Sequence, residues 1–546
     1  MMGTAERESI AGGSPRLHLH GISTGRLTAL ALSLLCAWIF AGCAGTRERA
    51  AYSELADAAR IIGVHRSAES AAGNQHRAGA ADAATTRASL PAIPPQASLD
   101  DLLLYAALNN PELEARFYHW QAALERVAQA RGLPDLQLTY AYYIQEVETR
   151  VGPQRQRLGI SQRIPWPDKL NQQTAAALAG AEIAREKLTS AHLDLEARVA
   201  EAFHEAAYLV RAQAITVESV ALLTDLEGVV RIRYAAGTAS HAALISVQLE
   251  LGRLEERQAA LDARRKPLLA RLNTALGRVP QARLPWPLPV PWPVPWSPAA
   301  RESAGPAPTP LPAGDRNMGS HGSASGAGER GGTAVTDASD EQLRAWLAAG
   351  NPELRVFDRR LAVAHARQAL AGAAYFPDLV LGADWIATDE RPLPGLEENG
   401  KDAVIARIGF SLPLWFGKHR AAEREAAAHY AEVLAQRRAR ADQLALELEE
   451  LLYELRDAER KIELFGHTLI PKAYQGLAVT RQAFAGGEAH FADLIDVQQA
   501  LLELQLAYAR AQATRGQRAA RLAALLGREV GSGSIAPPAA TEGEQR

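Results

Sequence analysis

The chain contains the same segment twice. Asn110-Pro111-Glu112-Leu113 returns as Asn351-Pro352-Glu353-Leu354, and Pro134-Asp135-Leu136 returns as Pro377-Asp378-Leu379. Arg157-Leu158-Gly159-Ile160-Ser161 returns as Arg407-Ile408-Gly409-Phe410-Ser411, and from there the offset holds at 250 residues. Gly237 maps to Gly487, Leu244-Ile245 to Leu494-Ile495, Val247-Gln248 to Val497-Gln498, and Leu276-Gly277-Arg278 to Leu526-Gly527-Arg528. Landmarks recurring in one order over this length mark an internal duplication. The copies span residues 98–279 and 340–529. Whatever one copy folds into, the other must fold into as well. At 546 residues the chain is too long for one compact core.

Each copy has the same grammar. A helical stretch of about three dozen residues runs into a Pro-Asp step. A strand, a polar loop and a second strand ending at a proline follow. Then come a very long helix, a glycine turn and a returning helix. The strands alternate. Leu136, Leu138, Tyr140, Tyr142 and Ile144 oppose Gln137, Thr139, Ala141, Tyr143 and Gln145. Val404, Ala406, Ile408, Phe410 and Leu412 oppose Arg407, Gly409 and Ser411. A period of two marks a strand with one apolar face. A soluble sheet on a core gives the same pattern, but lengths near ten residues also suit a tilted membrane strand, with apolar side chains on lipid and polar ones on water. The neighbouring helices are far too long for a globular core, which favours the membrane. Arg157, Arg163 and Arg407 then face the lumen, where they line an aqueous pore or pair with acids across it.

From Pro167 to about Tyr234 there is no strong helix breaker, a length of roughly 100 Å. The second copy repeats this from Gly417 to about Phe484. There Leu448, Leu455, Ile462 and Leu469 occupy one seam position and Leu444, Leu451, Ala458 and Phe465 the other, a coiled-coil heptad. Runs such as Ala175–Ala177 and Ala426–Ala428 allow close helix approach, and Pro471 predicts a kink.

Four strands cannot close a barrel in lipid, because an open edge leaves backbone groups unpaired at several kcal/mol each. The strands must therefore meet those of other chains, and three chains give about twelve strands, within the known range.

The segments outside the copies are of another kind. Leu27–Ala41, preceded by Arg16 and Arg26, has the basic and apolar regions of a secretory signal. It ends in Phe40-Ala41-Gly42-Cys43, which resembles the lipobox of bacterial lipoproteins, with Cys43 as the lipidated residue. Ala44 after it implies sorting to the outer membrane. Cys36 would leave with the signal, so the mature chain has no second thiol for a disulfide or a Cys-based metal site. The expected layout is 1–43 signal and lipobox, 44–97 flexible tether, 280–339 Pro/Gly-rich linker and 530–546 disordered tail. The linker opens with prolines at alternate positions from Leu284 to Pro293, which forbid helix and favour an extended form.

The Asn-Pro-Glu-Leu start, the Gly-Ile-Ser and Gly-Phe-Ser strands, and the Tyr234 and Phe484 turns leading to Leu-Ile-x-Val-Gln resemble the TolC-like outer-membrane efflux family. The resemblance covers residues 98–529, with the linker as an insertion. It implies a mainly α fold with membrane β: a homotrimer whose twelve-stranded barrel continues into an α-helical periplasmic tunnel. It implies that the turns at Gly237 and Gly487, with Tyr234 and Phe484, form the periplasmic tip. That tip docks an adaptor (membrane fusion) protein and, through it, an inner-membrane pump. It also implies that Asp493 and Asp496 form acidic rings at the constricted end. Their spacing of three puts both on one helix face, and such rings favour cations. A solvated acidic face at a turn is the plainer reading of the same pair. The first copy has Ala243 and Ser246 there. Glu146–Gln154 and Ile164-Pro165-Trp166-Pro167 are closer to heavy-metal efflux members than to the protein-secretion type.

Other functions find little support. A net charge of −3 argues against a nucleic-acid partner, and a mean hydropathy of −0.15 against a helical membrane protein. No phosphate loop, nucleophile elbow or His-Glu-x-x-His motif is present, so no enzyme, cofactor or dedicated metal site is expected. His241 and His490 beside the tips read as surface polar residues more readily than as proton sensors. The alternatives are a periplasmic adaptor, which carries one hairpin where this chain has two, and a structural coiled-coil lipoprotein, which would lack the strands.

Overall fold

Each copy begins with two helices where the sequence suggested one. In the first they are α1 (Leu99–Asn109) and α2 (Pro111–Arg131), in a computed structural model that describes residues 50–55, 93–292, 338–392 and 397–530. Cys43, the signal segment, most of the tether, the linker after Trp292 and nearly all of the tail lie outside the described residues. The chain divides into two units, Met1–Glu54 and Leu55–Arg546. Of the first, only a helical turn over residues 50–54 is described.

The break between α1 and α2 is local chemistry. A residue before proline is pushed out of the helical region, and Asn110 sits at φ −77, ψ 119. Proline is welcome as the first residue of the next helix. The break is also a splice. Asn110 Oδ1 accepts from the Glu112 and Leu113 amides at 2.8 and 3.4 Å, while its Nδ2 donates to the Ala275 carbonyl at 3.0 Å, at the end of α4 (His241–Ala275). One side chain thus satisfies orphan donors of a starting helix and an orphan carbonyl of an ending one. The second copy repeats this between α5 (Asp340–Gly350) and α6 (Pro352–Ala373). Asn351 accepts from Glu353 and Leu354 at 2.9 and 3.1 Å and donates to Leu525 at 2.8 Å. Gly277 and Gly527 turn the chain just beyond, with φ of 69 and 74. A Cβ on either would overlap a backbone carbonyl, that of Asn109 or of Gly350.

The strands β1 (Gln137–Thr149), β2 (Gly152–Ile164), β3 (Leu379–Thr388) and β4 (Ala403–Phe410) form one antiparallel sheet in sequence order. The two hairpins thus pair through β2 and β3.

Helix α3 (Pro167–Ala235) is unbroken over 69 residues, about 100 Å. It packs on α2, α4, α6 and α9 (Phe491–Leu525). Its counterpart runs through α7 (Phe416–Glu463), a π turn (Leu464–Leu469) and α8 (Ile470–Gly486). Pro471 lacks the amide that would continue the ladder, and the chain answers with the wider π turn just before it. Gly466 in that turn lies against Tyr508, whose ring a Cβ would meet at 2.8 Å. The heptad residues Leu444, Leu448, Leu451 and Leu455 are buried against Leu343, Leu347, Leu522, Leu525 and Leu526. Close approach occurs at Ala197, Ala200, Ala206 and Ala212, all buried on α3. Ala175, Ala427 and Ala428 are exposed in the single chain. The start of the linker is packed: Leu284 and Leu288 are buried, and Trp286 lies with Leu209, Ala212 and Leu261.

Candidate functional site

The sheet divides into two faces. On one, Leu138, Tyr140, Tyr142, Leu158, Trp385, Val404, Ile408 and Phe410 are all exposed, Val404 by 76%. A contiguous apolar surface of this kind is costly in water and normal in lipid. β1 and β4 each keep an unpaired edge within the chain, which lipid does not tolerate. At the helical end of the sheet, Trp166 stacks on Phe376 with centroids 5.1 Å apart, and Trp415 and Phe416, shortly after β4, are exposed. Aromatic side chains of this kind suit the boundary between lipid and water.

The other face is polar. Asp384, 1% exposed, receives Arg157 at 2.9 Å and Arg407 at 2.6 Å. Gly159 stands opposite it on β2, where a Cβ would overlap its carboxylate. Asp378 receives Arg163 at 2.5 Å and Lys169 at 2.7 Å. The three arginines pair with acids on β3 and just before it, within the chain, and not across a lumen as expected. Asp378 was visible in the Pro-Asp step. Asp384 carried no signal beyond being an acid among apolar strand residues.

The far end of the helices carries the turns. Gly237 and Gly487 adopt φ of 74 and 81. Thr238 donates to Arg233 at 2.8 Å and Gly237 to Tyr234 at 2.9 Å, while Glu488 donates to Ala483 at 2.9 Å and Gly487 to Phe484 at 3.2 Å. Both helices therefore end in a Schellman motif. A Cβ at either glycine would meet nothing within 4 Å, so glycine is there for its backbone conformation. The aromatic residues tie each turn to the start of the returning helix. Tyr234 lies 5.5 Å from the His241 ring, and Phe484 lies 5.6 Å edge-on to Phe491, the repeat equivalent of His241. Both turns share one apolar cluster that includes Val230, Val247, Phe491, Leu494 and Ile495.

Asp493 and Asp496 are exposed on the first two turns of α9, while Leu494, Ile495 and Gln498 between and beyond them are buried. Asp493 Oδ2 accepts the His490 amide at 2.9 Å, the reciprocal bond of a capping box. The first copy closes its helix by the other half of that device: Ser240 Oγ accepts the Ala243 amide at 3.2 Å. Asp493 therefore has a local reason to be acidic. Asp496 has no hydrogen-bond or ion-pair partner among the described residues. Among the described residues, no group of three or more His, Cys, Asp or Glu could hold a metal ion.

The family model for the outer membrane efflux protein matches residues 102–278 and 345–528. No curated protein matches. Among solved structures, the outer membrane protein VceC from Vibrio cholerae is 18% identical with a TM-score of 0.58, covering 79% of this chain and 96% of that one. The outer-membrane channel OprN is 17% identical with a TM-score of 0.60, covering 79% and 89%. The open state of the Neisseria gonorrhoeae MtrE outer membrane channel is 17% identical with a TM-score of 0.58, covering 80% and 89%. With both copies matched by the family model, this chain belongs to the outer membrane efflux protein family.

Proposed function

We propose that three copies of this efflux channel assemble into a passive duct, each giving four strands to a barrel of about twelve. The observation that carries this is the sheet, which has an apolar outward face and two unpaired edges yet is joined to a helix of 69 residues. A barrel in the outer membrane then opens into a helical tunnel in the periplasm. The Gly237 and Gly487 turns, with Tyr234 and Phe484, dock an adaptor protein that links the duct to an inner-membrane pump. Asp493 and Asp496 ring the closed end and favour cations there. The pump supplies the energy, and the duct performs no catalysis. The cargo is small molecules such as drugs or metal ions. Cys43 carries a lipid that adds to the anchorage of the barrel, since one acyl chain alone holds weakly.

An adaptor or a coiled-coil spacer is disfavoured by the same sheet, whose exposed apolar face neither would need. The test is the mass of the particle extracted in detergent from the outer-membrane fraction, corrected for bound detergent. A trimer supports the reading. A soluble or monomeric particle overturns it.

A further inference from the structure

The N-terminal parts of α2 and α6 converge over the first half of α3. Between them, α7 and α9 lies a cleft of about 670 Å³, within the range of small-molecule sites. Its walls carry six cations, Arg116, Lys187, Arg198, Arg360, Arg440 and Arg521. The three carboxylates on the same walls are already engaged. Glu112 pairs with Arg198 at 2.9 Å, Glu353 with Arg440 at 2.7 Å, and Asp194 with Arg521 at 3.0 Å. Arg116, Lys187 and Arg360 are left without a carboxylate partner among the described residues.

Three like charges in one cleft repel each other. Burial, then the charges of Arg360 and Arg116, hold the Lys187 ammonium below its ordinary range. Arg360 is steadied by the Phe357 ring, 4.9 Å from its guanidinium carbon. The helix starts at Pro111 and Pro352 add partial positive charge to the same space. Arg440 precedes Glu449 by nine residues, half a turn around α7. Glu449 pairs with Arg344 of α5, so Arg440 lies on the side of α7 away from that pair. Lys187 lies twenty residues along α3 from Pro167, about 30 Å from the sheet, too far for a lipid headgroup to reach.

We propose that this cleft binds a soluble multivalent oxyanion of the phosphate class, held by Arg116, Lys187 and Arg360. The guanidinium forks match phosphate oxygens in pairs, and the ammonium supplies a point charge between them. The site needs only the fold of one chain. Failed conduction would leave it standing, and a failed anion response would leave the channel reading standing.

The test is the thermal midpoint of the detergent-extracted full chain in pyrophosphate, against sodium chloride at equal ionic strength. Pyrophosphate should raise the wild-type midpoint by a few degrees more than chloride does. Lys187→Gln should start from a higher midpoint without added anion, since it relieves the repulsion, and should lose most of the pyrophosphate response. Arg360→Gln should lose that response too, and serves if the first variant does not assemble. Equal wild-type response to the two salts, or a full pyrophosphate response in both variants, overturns the site.

Discussion

The guanidinium of Arg233 lies 4.4 Å from the centroid of the Phe484 ring, and its Nη1 donates to the Phe484 carbonyl at 3.1 Å. That carbonyl also receives the Gly487 amide at 3.2 Å. A cation from the end of α3 thus sits on the carbonyl end of α8, where the helix dipole favours it. The turn of one copy is tied to the turn of the other at the end of the molecule proposed to dock the adaptor.

Arg233→Ala should loosen this tie. It removes a hydrogen bond to the main chain and a cation–π contact, together about 1–2 kcal/mol. Amide exchange over Ala483–Glu488 should speed up while the helix splice at Asn351 stays protected. Unchanged exchange at the turn would mean that the Schellman motif holds it alone.

Asn351→Ala should destabilise the second copy by about 1–3 kcal/mol. The Leu525 carbonyl loses its donor, and the Glu353 and Leu354 amides lose their acceptor. Asn351→Asp keeps the acceptor only and should fall between the two. Gly527→Ala should be at least as damaging, because it needs both the left-handed backbone and room against Gly350. Denaturation midpoints of the three variants give this order, and an Asp variant equal to wild type would remove the donor half of the argument.

The proposed constriction should respond to the charge of Asp493 and Asp496, not to the capping bond. Asp493→Asn keeps an oxygen for the His490 amide and loses the charge, and Asp496→Ala removes a group with no local partner. The double variant should conduct more in planar bilayers and select less for cations, with little change in thermal midpoint. An unaltered reversal potential in a salt gradient would return both residues to an ordinary solvated helix face.

Glu196 and His204, both on α3, should give the stability opposite pH dependences. Burial lifts the Glu196 carboxyl to about 7, the Val530 amide at 3.0 Å partly offsetting it and the Glu529 charge adding to it. Burial lowers the His204 imidazole to about 4, and its Nδ1 is enclosed without a partner among the described residues. A raised carboxyl favours the fold fully below its unfolded value near 4.5, and that contribution fades as pH rises through 7. A depressed imidazole favours the fold above 6.5 and loses that as pH falls toward 4. Each is worth at most about 3 kcal/mol. Glu196→Gln should therefore raise the midpoint at about pH 8 and leave it unmoved near pH 4.5. His204→Asn should flatten the fall between 6.5 and 4. A Glu196→Gln effect that is the same at both ends of the range would show that ionisation is not its cause.

What the sequence determined by itself was whatever rests on local periodicity or on a single residue's backbone. The alternation of Leu138, Tyr140 and Tyr142 with polar neighbours located β1, and the absence of breakers after Pro167 set the length of α3. Gly237 and Gly487 marked the turns because few other residues take a positive φ. The break at Asn110-Pro111 was within reach of the same logic, since proline forbids helix in the residue before it, yet the helical composition on both sides hid it. What only the tertiary structure decided was partnership. Arg157 finds Asp384 across 227 residues of chain, Asn351 finds the Leu525 carbonyl across 174, and Arg233 finds Phe484 across 251. The three cations of the cleft without a carboxylate partner among the described residues come from α2, α3 and α6. A charged residue reads the same in sequence whether water, an acid or another cation faces it, because that depends on which long helices lie side by side.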